Sequence, residues 1–115
     1  MLTHLNKVEL IGIVGSAKQI KVEGTTLVRF TVATTYAFRD KEGNGVHETT
    51  WHSVSCFERA CPEDISRIEK GDKVHVLGRI RVCRYTSPEG ENRTMTEVVA
   101  SSVKLLDCDR LDPEE

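Results

Sequence analysis

The chain has 115 residues, 38% hydrophobic and 30% charged, with a formal net charge of -2. That length suits one domain with a real core rather than two, and no apolar run approaches the roughly 20 residues needed to cross a bilayer. Met1 to Lys7 shows no charged segment leading into an apolar one, so no secretory signal is expected and the chain is placed in the cytosol.

Five strand-like runs follow in order. The first spans about Asn6 to Ala17, with Val8, Leu10, Gly12 and Val14 on one face. Glycines 12 and 15 inside a strand suggest bending or close backbone approach. The second, about Thr26 to Phe38, turns Val28, Phe30 and Val32 inward. A polar, Gly-rich hairpin tip, Arg39 to Gly45, leads to the third, about His47 to Phe57. From Glu58 to Lys70 the alternation breaks, and Ala60, Ile65 and Ile68 allow a short helix starting near Pro62 and ended by Gly71. The fourth run, Asp72 to Tyr85, buries Val74, Val76, Ile80 and Val82. A Ser87-Pro88-Glu89-Gly90 turn precedes the fifth, Arg93 to Leu106. Three strands, a short helix and two more strands is the order of an all-β OB-fold, a five-stranded Greek-key barrel with a helix between strands 3 and 4. The domain is assigned to residues 1–106, and 107–115 is read as a short acidic tail.

The third strand carries the sharpest functional signal. His52, Val54 and Cys56 share one face, suited to a core. Trp51, Ser53, Ser55 and Phe57 share the other, which the serines mark as wet. Two rings roughly 20 Å apart at about 3.3 Å per residue suit a stacking surface for unpaired bases, unless a loop or a second subunit covers them. Tyr85 lies on the same wet face of the fourth strand as Arg79 and Arg81. Phe38 sits where the second strand enters its hairpin. Phe30 reads as core, and Tyr36 is ambiguous. Arg29, Arg39, Lys41, Lys73, Arg79, Arg81, Arg84 and Arg93 are candidate phosphate partners.

Charge is distributed unevenly. Asp107 to Glu115 hold five acids and one base, so the remainder is net positive, and binding depends on where cations cluster. Cys56, Cys61, Cys83 and Cys108 form no C-x-x-C pair and read as free thiols, with no metal site. His4, His47, His52 and His75 with Glu48 or Glu97 could suggest a small nuclease. They fall on different strands and faces, so the chain is read as no enzyme, and no cofactor is expected.

Several segments resemble the bacterial single-stranded DNA-binding proteins: Asn6-Lys7-Val8-Glu9-Leu10-Ile11-Gly12, Phe30-Thr31-Val32-Ala33-Thr34, Thr50-Trp51-His52-Ser53-Val54, Lys70-Gly71-Asp72-Lys73-Val74, Gly78-Arg79-Ile80 and Thr96-Glu97-Val98-Val99, in similar form and order. The resemblance implies a sequence-nonspecific binder of single-stranded DNA that protects exposed strands in replication, recombination and repair. It implies base-stacking roles for Trp51, Phe57 and Tyr85, and for Phe38 at a position often tryptophan. It implies an interface role for His52, a homotetramer, and a bacterial, nucleoid-associated cytoplasmic protein. Family members usually end in a long flexible linker with an acidic Pro-Phe tip that recruits repair and replication enzymes. Leu111 to Glu115 do not match that tip. The related primosomal replication protein, a dimeric OB-fold accessory factor in replication restart, is the alternative.

Overall fold

A computed structural model describes residues 3–61 and 67–106. β-Branched residues alternating with polar ones favour long strands that bury one face only. Five such strands form: β1 (Val8–Val22), β2 (Thr25–Arg39), β3 (Gly45–Phe57), β4 (Lys73–Thr86) and β5 (Asn92–Leu105). They close into a barrel in the order β1-β2-β3-β5-β4, with β4 returning to β1. Every pairing is antiparallel except β3 with β5, which run parallel through Val54–Val98 and Ser55–Val99. This is the OB-fold architecture the sequence predicts.

β1 runs five residues past the predicted end, to Val22. Its hairpin turns on Glu23 and Gly24, both at positive φ (50° and 82°), the backbone of a two-residue turn matched to strand twist. The β2–β3 tip is held by Asp40, whose Oδ1 accepts from the amides of Glu42 and Asn44, each at 2.9 Å. Those bonds, led by Asn44, hold the Asp40 carboxyl below its ordinary pKa.

The inward faces supply a dry core: Val14, Val28, Phe30, Val32, Val54, Cys56, Val74, Val76, Val98, Ala100 and Val103, closed at one end by Cys61 and Ile68. Phe30, at 2% exposure, is its largest ring.

Two expectations change. Ile80 and Val82 are exposed (47% and 60%) rather than buried. They keep the inward parity of Val74 and Val76, but β4 and β5 continue beyond the barrel as a two-stranded arm whose inner side has no wall opposite. Cys56 and Cys61 are joined as a disulfide in the core, and only Cys83 of the described cysteines is free. A 3₁₀ turn at Glu58–Ala60 reverses the chain and brings Cys61 back to Cys56. The helix expected from Pro62 falls largely on 62–66, outside the described residues, as does Cys108.

Candidate nucleic-acid interface

Strand register converts the sequence into a surface. On the outer face of the sheet, cross-strand neighbours form rows. One row runs Lys73, Ile13, Ala33, Trp51 across β4, β1, β2 and β3. The next rows are Ser16, Thr31, Ser53, then Lys18, Arg29, Ser55, then Ile20, Leu27, Phe57. Trp51 and Phe57 therefore bracket a polar, cationic floor about 20 Å long at roughly 3.3 Å per residue. Trp51 is 59% exposed, whereas Phe57 is half-buried beside Leu27.

The outer face of β4 and β5 adds a second flank. Arg79 faces Val99, Arg81 faces Glu97, Cys83 faces Met95 and Tyr85 faces Arg93. Met95 and Glu97 meet Ser16, Lys18, Arg29, Thr31, Ser53 and Ser55 around a groove of about 210 Å³. Tyr85 is half exposed near the arm's end. Arg93 pairs there with Glu91 at 3.0 Å, both side chains exposed, a contact weak enough to be exchanged for another anion.

Glu97 lies at the groove floor, 4% exposed. Burial pushes its pKa up, but hydrogen bonds donated by Ser55 Oγ (2.7 Å) and Cys83 Sγ (3.1 Å), with the charges of Arg29 and Arg81, outweigh that and hold it below the ordinary value. The same contact raises the Cys83 thiol. Alternation places Ser55 on the wet face; it is buried because β5 packs beside it and Glu97 takes its hydroxyl. A carboxylate whose pKa is depressed by folding stabilises the fold above its unfolded pKa, and that contribution is lost as pH falls through the folded value. The stability gap between wild type and Glu97→Gln should therefore be widest near neutral pH and close in acid, as read from urea midpoints at pH 7 and pH 3.

The other predicted residues are distributed less simply. Phe38 is 40% exposed but lies on the opposite face of the β2–β3 arm from Trp51, because it shares the inward parity of Phe30 and Val32. It stacks on Tyr36, centroids 5.8 Å apart and planes at 27°. Tyr36 is 67% exposed and so is not core. Arg39 is on the Trp51 side, where its guanidinium donates to the Gly43 carbonyl at 3.2 Å and braces the tip that carries Lys41. Arg84 takes the inward parity of the β4–β5 arm but lines the depression at its end with Tyr85, Asn92 and Arg93. His52 is half-buried, its Nε2 2.9 Å from Thr34 Oγ1, at a pocket that it shares with Trp51, Val8, Leu10, Ile80 and Val98. Lys18 lies one residue past the strand end at Ala17 that the sequence suggests; the alternation of Gln19 to Val22 is the signal that carries the strand across it.

A model described as the single-strand binding protein family matches residues 5–106. The chain belongs to that family. It is 33% identical over 108 residues to a single-stranded DNA-binding protein of Xylella fastidiosa (strain Temecula1), covering 92% of this chain and 66% of the relative. A Neisseria meningitidis family member is 32% identical, covering 89% of this chain and 60% of the relative. The chain thus spans just under two thirds of the length of these two relatives. Among solved structures, a deletion mutant of the single-stranded DNA binding protein from Thermus aquaticus superposes with a TM-score of 0.75 at 26% identity, covering 90% of this chain and 51% of that one. The Plasmodium falciparum SSB, solved in complex with ssDNA, has the same fold (TM-score 0.80, 24% identity, covering 93% and 99%).

Proposed function

We propose that the protein binds single-stranded DNA without sequence preference and without catalysis, shielding exposed strands during replication, recombination and repair. The observation that carries this reading is an indole more than half exposed, one cross-strand row from a groove lined by Lys18 and Arg29. Cations along a groove track the phosphates, and ring faces replace the stacking each unpaired base loses. Trp51, Phe57 and Tyr85 share the outer surface and serve as stacking platforms. Phe38, with Tyr36, offers a platform on the reverse side of the β2–β3 arm. Arg29, Arg79, Arg81, Arg93 and Lys73 follow the outer face, and Arg39, Lys41 and Arg84 serve the arms.

Quenching of Trp51 fluorescence by oligo-dT tests the reading. Affinity should fall with salt, log K against log salt sloping by about -0.7 for each phosphate neutralised. No quenching at either of two salt concentrations would remove the proposal.

The assembly we propose is a homotetramer, with His52 at a contact between copies. A primosomal replication protein-like dimer is the second reading, and solution mass separates the two. Cytoplasmic, nucleoid-associated placement accompanies the function in a bacterial cell.

A further inference from the structure

We propose that Gly15 is the seat of the Trp51 indole, a positioning residue through which β1 sets how that ring meets a base. The ligand rests on the single-strand reading above; the seat itself rests on geometry alone.

Gly15 occupies the bulge of β1. Val14 pairs with Val32 and Ser16 with Thr31, leaving Gly15 without a partner in the β2 register. Trp51 stands two strands away, paired with Ala33, yet its ring reaches across β2 to rest on that bulge. A Cβ added to Gly15 would overlap Cζ3 of the indole, lie 2.8 Å from Cη2, and lie 3.0 Å from Thr31 Oγ1. The first two atoms form the benzo edge of the ring. Gly15 is not among the glycines at positive φ, which are Gly24, Gly43, Gly71 and Gly90. Its backbone could therefore carry a side chain, and the space taken by the indole is what forbids one.

Nothing beside the ring yields easily. The Thr31 hydroxyl accepts from the Ser16 amide at 3.1 Å and lies 3.3 Å from the Ser16 hydroxyl, so it is fixed on the β1 side. Ala33, the cross-strand partner, is small enough for the ring to pass over it. The indole thus has one side backed by main chain while much of it stays open to solvent. A ring held in place before binding loses less freedom when a base stacks on it, and a methyl group at 15 would tilt or lift it.

The test uses four full-length proteins: wild type, Gly15→Ala, Trp51→Phe and the double variant. Binding is read by anisotropy of a labelled oligo-dT, which does not depend on the indole, and folding by thermal melts. A phenyl ring at 51 stops short of the benzo edge, so the double variant relieves the overlap and still stacks. Gly15→Ala is expected to weaken binding about tenfold with Trp51 present, and by no more than about twofold with Phe at 51. If Gly15→Ala prevents folding alone while the double variant folds, the seat is equally supported. Equal losses in both backgrounds, or no loss in either, overturn it. Acrylamide quenching of Trp51 without DNA separates this result from the functional reading. If no protein in the set binds oligo-dT, the single-strand reading fails. Unchanged quenching in Gly15→Ala would then still overturn the seat, and changed quenching would support it.

Discussion

Trp51→Ala should weaken binding to oligo-dT by about 1–3 kcal/mol, the range that removing one stacked aromatic ring produces, or roughly 5- to 150-fold. Melting temperature should hardly move, because the side chain is 59% exposed and contributes little to the barrel's dry interior. The separation of the two readouts is the informative part. Arg29, Ser53 and Thr31 line the adjacent floor and would keep their places, so the residual binding should retain its dependence on salt. A binding isotherm superimposable on wild type would mean that bases do not stack here. A large fall in melting temperature would mean that the indole is a packing element instead.

The reverse pattern is expected for Phe30→Ala. Phe30 is 2% exposed and lies in the core with Val14, Val28, Val32 and Val54. Truncation leaves a cavity in a close-packed barrel and should cost about 3–5 kcal/mol. At roughly 4 °C per kcal/mol for a domain of this size, melting should drop by more than about 10 °C. Under strongly stabilising conditions, where the variant remains folded, its oligo-dT affinity should stay near wild type. Two aromatic residues on neighbouring strands thus separate into one that binds and one that folds. Strand alternation makes the difference, sending Phe30 inward and Trp51 outward.

That alternation also explains how far the sequence could be read. It located the five strands in order, the inward trio Val28, Phe30 and Val32, and the turn at Asp40, because each depends on local periodicity or turn chemistry. It could not locate the height of the barrel wall. Ile80 and Val82 obey the same two-residue period as Val74 and Val76, and only the register with β5 reveals that they stand on an arm beyond the core. Phe38 shares the parity of Phe30 yet also stands beyond the wall, so its ring is exposed on the side away from Trp51. Ser55 and Glu97 are 42 residues apart, and no local pattern announces that a hydroxyl on one strand and a carboxylate on another will bury each other. The Cys56–Cys61 pair depends on how the chain turns back after β3, which strand periodicity does not encode.

The dual pairing of β1 has a mechanical corollary. Its first half, Val8 to Ile13, is bonded to β4, and its second half, from Ile13 onward, to β2. The strand therefore changes sheets beside Gly15, so one kink both seals the cylinder and cradles the indole. Strain that loosens the seam between β1 and β4 should tilt the ring before the rest of the protein melts. Grip on the nucleic acid would then be the earliest casualty of mild destabilisation, with affinity declining ahead of any loss of β signal in circular dichroism.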